Sequence, residues 1–228
     1  MTEYLHFVRE YLPYLLGGVP LTLAIWVIAL SVGFAIGLGL AWSRVYGGRA
    51  AYSIATIYVE IFRGTPVVVQ MLFIYLGLPS VGIVFSPFTA AVIAIALNTA
   101  AYQAEYFRGS IQSVSPGQMS AAKAQGMTGA QAFRYIVLPQ ALRRVLPQWS
   151  NEAIIELKFT SVAYTIGVIE VTARAYKVGY HTYQFFHIFL LASLIYIVMT
   201  TIVSELLWYL EKKVSVPGLG VDVGRPEG

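Results

Sequence analysis

Cysteine is absent from the 228-residue chain, which excludes disulfides, thiolate metal sites and cysteine nucleophiles. Charge is scarce. Asp, Glu, Lys and Arg make up 11% of residues, against about 25% in an ordinary globular domain. With 57% hydrophobic residues, a soluble fold would lack the polar groups to cover its surface. Histidine is rare: His6, His181 and His187. The last two stand six apart and share no helix face, so no metal site is expected. There is no GxxxxGK[ST] phosphate loop, so the chain is not expected to hydrolyse ATP itself. No nucleophile–base pair marks an enzyme. The start, with Glu3, Arg9 and Glu10, lacks a basic leader and a small-residue cleavage site, so no removable signal peptide is expected. The formal charge is +4, yet the basic residues are not interleaved with aromatics as in a nucleic-acid grip.

What is present is long apolar runs. Residues 11–43, 64–104 and 178–204 carry no charge, and a bilayer span takes about 20 such residues. Gly77-Leu78-Pro79 and Ser86-Pro87 divide the middle run. A weaker segment, 145–169, holds Glu152, Glu156 and Lys158. The pattern predicts one all-α integral membrane domain over 1–228, with five spans at 14–43, 53–77, 87–107, 145–169 and 184–210. Aromatics near the span ends suit interfacial anchoring.

Basic residues in the connections set orientation. One side collects Arg44, Arg49, Arg63, Arg108, Lys123, Arg134, Arg143, Arg144, Lys212, Lys213 and Arg225, eleven of the 15 Lys and Arg. The other holds Arg9, Arg174 and Lys177, and Lys158 lies within a span. That bias predicts an external N-terminus and a cytoplasmic C-terminus.

Gly64-Thr65-Pro66 interrupts the second span. Thr as N-cap and Pro at the first helical position predict a helix ending near Phe62 and another starting at Pro66. Glu60 and Arg63, three apart, are spaced to pair. The connection 108–144 is too long and patterned for a simple loop. Ser115 can cap, Pro116 takes the first position and Gln118 the third. Helix formers through Gln125 follow, and Gly126 suits the C-cap. A second stretch, 129–137, is expected to end before Pro139. The first helix is Ala-rich and short, fit to dock in a partner's groove. Lying on lipid is the alternative, and the helix has few large apolar residues for it.

Polar residues at membrane depth mark candidate pathway positions. Asn98, Tyr102 and Glu105 share a helix face, spaced four and three apart. Glu105 can instead pair with Arg108 and merely anchor the helix end. Glu152, Glu156 and Thr160 step along one face of the fourth span, with Phe159 beside them, and Ser161 and Tyr164 extend the polar set. These residues can contact substrate, the subunit interface, or both. Gly33, Gly37 and Gly39 permit close helix packing.

Segment 117–139 resembles the EAA loop of ABC importer permeases. The matching residues are Ala121-Ala122, Gly126 and Ile136-Val137-Leu138-Pro139, with Ser120 where that family has Glu. Three further segments resemble its polar amino acid branch: Glu60-Ile61-Phe62-Arg63-Gly64-Thr65-Pro66, Ala104-Glu105-Tyr106-Phe107-Arg108-Gly109, and Lys158-Phe159-Thr160-Ser161, with Phe159 replacing the usual Asp. The resemblance implies a type I importer fold of about five helices, paired with a second permease subunit as homo- or heterodimer. It implies a coupling helix, built here from Ser115, Pro116, Gln118, Ser120, Ala121, Ala122, Lys123 and Gly126, docked on ATPases that hold ATP and Mg. An extracytoplasmic solute-binding protein would deliver the amino acid. Acidic residues outnumber basic ones within the spans, which tilts the cargo toward basic or neutral polar amino acids, unless those carboxylates simply pair with Arg and Lys. The rivals are an ion-coupled secondary transporter, which would ordinarily show internal repeats, and a non-enzymatic membrane scaffold subunit.

Overall fold

The computed structural model describes residues 2–214 and is helical, with no strand among the described residues. Arg225 and the carboxy-terminal segment used in the orientation argument lie outside the described residues.

Helix α1 (Thr2–Leu16) meets α2 (Val19–Tyr46) at Gly17-Gly18. A Cβ on Gly18 would stand 2.6 Å from the Val171 amide nitrogen, so glycine is needed where the later chain crosses. The span read at 14–43 thus takes in the end of α1, this break and most of α2. At 28 residues and about 1.5 Å per residue, α2 is long enough to cross a bilayer.

Helix α3 (Arg49–Gly64) turns by 103° into α4 (Val67–Leu72). A π-turn at Phe73–Gly77 and a 3-10 turn at Leu78–Val81 carry α4 onward. Thr65 is extended, with φ −121 and ψ 141, as the residue before proline must be. It therefore closes α3 and does not cap α4, while Pro66 stands one position ahead of the new helix. Helix α5 (Pro87–Ser113) opens at Ser86, whose hydroxyl accepts from the Thr89 amide, 3.2 Å.

Beyond α5 come α6 (Pro116–Ala124) and α7 (Gly129–Ala132). The chain does not stop before Pro139 as expected. A π-turn, Phe133–Val137, leads straight into α8 (Leu138–Phe159). Pro139 falls in the first turn of α8, where a missing N–H costs least. The Gln140 side-chain amide donates to the Ile136 carbonyl at 2.8 Å. The fourth membrane helix thus runs earlier than the predicted 145–169 and gives way at Thr160–Ile166 to a 3-10 turn that closes on Gly167. Then follow α9 (Val171–Thr182) and α10 (Phe185–Val214).

Two helical stretches, His6–Tyr46 and Phe185–Val214, are long and apolar enough to cross a membrane on their own, and the bent pair Arg49–Gly64 with Val67–Val81 makes a third where its two halves count as one span. Helices α5 and α8 are more polar. Much of α5 is buried by its neighbours, so lipid is not its solvent and its polar side chains have protein partners.

Close packing of α2 on α5 holds this centre together. A Cβ on Gly33 would meet Thr99 Cγ2 at 2.3 Å, and one on Gly37 would meet the Ala100 carbonyl oxygen at 2.9 Å. Ala100 and Ala104 on α5 are fully buried. Gly39 is different: nothing lies within 4 Å of its would-be Cβ, so it takes no part in this contact. Gly37→Leu should therefore destabilise the protein by roughly 1–3 kcal/mol through overpacking. Gly39→Leu should leave the thermal unfolding midpoint in detergent unchanged or slightly raised. Equal midpoints for the two variants would show that the contact is not tight.

Candidate functional site

The polar centre is built between α5 and α8. Trp149 Nε1 donates to Gln103 Oε1 at 3.0 Å, Gln103 Nε2 to Thr99 Oγ1 at 3.3 Å, and Thr99 Oγ1 to Glu156 Oε2 at 3.3 Å. Tyr106 donates to Glu152 Oε2 at 3.0 Å. Both carboxylates are buried, and Glu156 Oε1 is sealed off without a hydrogen-bond partner. Gly33 makes this ladder possible: Gln103 Nε2 lies 3.2 Å from where its Cβ would be.

A second polar knot secures the break between α3 and α4. Asn98 Nδ2 donates to the Phe62 carbonyl at 2.9 Å and to Gln70 Oε1 at 3.2 Å. Gln70 Nε2 donates to the Phe62 and Thr65 carbonyls at 2.9 and 3.0 Å and to Thr65 Oγ1 at 2.7 Å. These amides serve carbonyls that the interrupted helix leaves without partners. Asn98 is thus turned toward the break.

The face Asn98–Tyr102–Glu105 is divided among three tasks. Tyr102 lies under Arg63, whose guanidinium carbon stands 5.3 Å from the ring centroid. Glu105 is held by Arg44 of α2 and by Arg108, whose Nη2 lies 2.6 Å from Glu105 Oε2. The ion-pair alternative for Glu105 is formed, and it ties α2 to α5. The expected Glu60–Arg63 pair is not formed among the described residues.

The polar face expected on the fourth helix does not continue past Phe159. There the α-helix becomes a 3-10 turn of about three residues per turn, which rotates successive side chains apart. Thr160 is buried and donates to its own Leu157 carbonyl at 2.7 Å. Ser161 lines a cavity of about 220 Å³ with Lys158, Thr172 and Tyr196. Tyr164 is exposed, its ring 5.9 Å from that of Tyr176.

At the other end of α8, helix α6 stands off the bundle. Pro116, Gln118, Ser120, Ala121 and Lys123 are exposed, and Ala122 is buried. Ser115 precedes the helix but caps it with no side-chain hydrogen bond. The C-terminus follows the expectation. Gly126 has φ +87, its amide donates to the Lys123 carbonyl at 2.9 Å, and Met127 donates to the Ala122 carbonyl at 3.1 Å. This pair of bonds is a Schellman closure. Thr128 and Gln131 form a capping box at the start of α7. The spacing Thr-x-x-Gln is the sequence signal for this box.

Sequence reasoning also missed Thr99, Gln103 and Gln70. All three lie in a charge-free run. Thr99 and Gln103 stand four apart on one helix face, which is the signal that could have found them.

A helix bundle that buries carboxylates and amides at its centre and holds a short helix off one end defines a membrane-embedded transport subunit. Residues 33–216 match the family described as binding-protein-dependent transport system inner membrane component, and the chain belongs to that family. It is 42% identical to the nopaline transport system permease protein NocM of Agrobacterium fabrum, over 89% of this chain and 88% of the relative. It is 37% identical to the glutamine transport system permease protein GlnP of Escherichia coli K12, over 90% of this chain and 94% of the relative. A solved structure described as an amino acid ABC transporter with histidines is 38% identical, with a TM-score of 0.83 over 92% of this chain and 98% of that one. The chain is therefore an inner-membrane permease subunit of the ABC importer type.

The knot at the break yields a test. Gln70→Leu removes a donor from two carbonyls and should cost about 1–3 kcal/mol, the penalty for buried polar groups left unmade. Asn98→Leu should cost a similar amount. The double variant should lose less than the sum, measured by thermal unfolding in detergent. Strict additivity would show that the two amides act independently.

Proposed function

We propose that this permease carries basic or neutral polar amino acids into the cytoplasm, powered by ATP hydrolysis on separate subunits. The observation that carries the reading is α6, a short helix whose outer residues are exposed while Ala122 is buried. Free small residues on a helix let another backbone approach closely, which suits a groove on an ATPase. Ser120 replaces the usual acidic residue, so docking here would rest on shape and on Lys123 rather than on that carboxylate. ATP and Mg would be held wholly by the partner. The relatives named for nopaline and glutamine, and the structure described with histidines, support an amino-acid cargo. A second permease subunit and an extracytoplasmic solute-binding protein complete the assembly.

Orientation has similar support. Arg63 lies beside the middle of α5 and not in a connection, so it leaves the tally of eleven. Ten basic residues against three still favour the α6 side as cytoplasmic. Among the candidate positions, Glu152 and Glu156 are the buried carboxyl groups a cationic group would meet. Tyr102 is half-buried beside Arg63.

The test is reconstitution with the cognate ATPase and binding protein in proteoliposomes. Uptake should stop when ATP is withheld and persist with an uncoupler; the reverse pattern would establish an ion-coupled carrier. Gly126→Val places a β-branched residue at φ +87, a left-handed conformation costing about 1–2 kcal/mol. The variant should retain ATP hydrolysis while amino acid taken up per ATP falls several-fold. Gly126→Asn, which tolerates that conformation, should remain coupled. Unchanged stoichiometry in the valine variant would refute the role assigned to α6.

A further inference from the structure

The chain's three histidines, distant in sequence, meet on the end of the bundle away from α6. Between α1 and the start of α10 lies a cavity of about 480 Å³, lined by His6, Glu10, Gln184 and His187. Between α1 and α9 lies another of about 400 Å³, lined by Tyr14, Lys177 and His181. Glu10, Tyr11 and Thr182 border both, so the two are one furrow with α1 as one bank and α9 as the other. At its inner end Arg174 donates to the Tyr14 carbonyl at 3.0 Å and covers the Tyr14 ring, 4.9 Å from its centroid. The coupling helix and the polar centre leave this furrow unused. Among the described residues no three His, Asp or Glu side chains are grouped to hold a metal ion, so the histidines are not a metal centre.

Helix length sets the level of the furrow in the membrane. With 30 residues α10 is about 45 Å long, and a bilayer with its headgroups is about 40–45 Å thick. A crossing helix of that length keeps both ends in the headgroup layers. Gln184 and His187 stand at the first turn of α10. Tyr180, Tyr183 and Phe186 are exposed at the same end, as interfacial aromatics are. His187 also heads a stripe of α10: Leu190, Leu194 and Val198 follow at three, seven and eleven residues on one face, and all three are exposed. The furrow therefore opens sideways onto an apolar flank as well as outward. Its two banks carry opposite charge. Glu10 lies on α1, with His6 Nδ1 at 3.8 Å. Lys177 lies on α9, exposed and without an ion-pair partner among the described residues.

We propose that the furrow is a phospholipid site in the leaflet facing away from α6, and that it takes a headgroup carrying both a phosphate and a primary ammonium. The phosphate lies against Lys177, with His181 as a further donor, since an imidazole offers an N–H in either protonation state. The ammonium lies against Glu10. A phosphoethanolamine headgroup presents those two charges side by side, and the membrane supplies it at the furrow's own level. A lipid bound there bridges α1 to the α9–α10 pair. The inference needs a membrane-embedded chain and no particular cargo, so it stands or falls apart from the transport reading.

The experiment titrates the permease, purified in detergent with its cognate ATPase, with dioleoyl phosphatidylethanolamine or dioleoyl phosphatidylcholine and reads retained lipid by native mass spectrometry. The ethanolamine lipid should bind about fivefold more tightly than the choline lipid, whose quaternary nitrogen has no N–H for Glu10; that is the scale of one exposed ion pair. Glu10→Gln should abolish this preference. Lys177→Gln should weaken both lipids about fivefold and keep the preference. Arg9→Gln removes an exposed charge from α1 that lines neither cavity and should change nothing. Equal weakening by all three variants would show general surface attraction and overturn the site. Glycerophosphoethanolamine, the headgroup without its chains, should compete poorly; competition at the same concentration as the lipid would make this a site for a soluble phosphate ester instead. In proteoliposomes, a raised requirement for binding protein in Glu10→Gln and Lys177→Gln, with lipid retention unchanged, would assign the furrow to that protein and overturn the lipid.

Discussion

Inside a bilayer no water is available to satisfy a backbone carbonyl, so any interruption of a helix must bring its own donors. This constraint governs the bend between α3 and α4. Gly64-Thr65-Pro66 ends one helix and starts another at 103°, and the Phe62 and Thr65 carbonyls would be orphaned without help. Gln70 of α4 and Asn98 of α5 provide the donors. Asn98 reaches it only because α5 runs close by. The bend, the position of α5 and the placement of Arg63 over Tyr102 are therefore one arrangement.

The approach of α2 to α5 follows the same logic at closer range. Gly33 and Gly37 leave room for Thr99, Ala100 and Gln103, and that room lets the amide of Gln103 sit between Thr99 and Trp149. A hydrogen bond between membrane helices contributes only about 0.6 kcal/mol on average, up to about 2. The ladder thus positions the helices, while the bulk of their adhesion is packing of small residues. Its cost is the Glu156 oxygen left unpartnered. Such buried unsatisfied groups are held where a surrounding structure over-determines them and where function draws on them.

Much of this was legible in the sequence. The charge-free runs fall on most of α2, α5 and α10, because lipid and buried helix contacts both exclude unpaired charge. Pro116 and Gly126 fixed both ends of α6, because the constraints on those two residues are local. Three features were not legible. The fourth helix starts earlier than the span read at 145–169 because Arg143 and Arg144 were taken as part of a connection, whereas they lie within α8. The continuation through Pro139 was missed because a π-turn depends on tertiary packing as well as on propensity. Arg63 was counted as a surface cation because one-dimensional spacing does not reveal that α3 climbs beside α5 before it bends. In the last two cases a tertiary neighbour outweighed a local rule, and for Arg63 that neighbour was α5.

The connection from α6 to the centre bears on how such a subunit would change state. Helix α7, the π-turn and α8 follow one another without a loop, so under the proposed function a push on α6 would pass through one short turn to the helix that carries Glu152. Arg63 belongs to α3, and its floor Tyr102 to α5, which is fastened to α2 through Glu105 and Arg44. Helices α5 and α8 are in turn tied to each other by the bonds from Trp149 to Gln103, Thr99 to Glu156 and Tyr106 to Glu152. Moving α8 against α5 would therefore break or re-form those bonds around the two buried carboxyl groups. A ligand shifts a conformational equilibrium only by its difference in affinity for the two states. A polar ladder shared between two helices is an arrangement in which that difference arises, because a ligand that reaches the carboxyl groups competes with the bonds that join the helices.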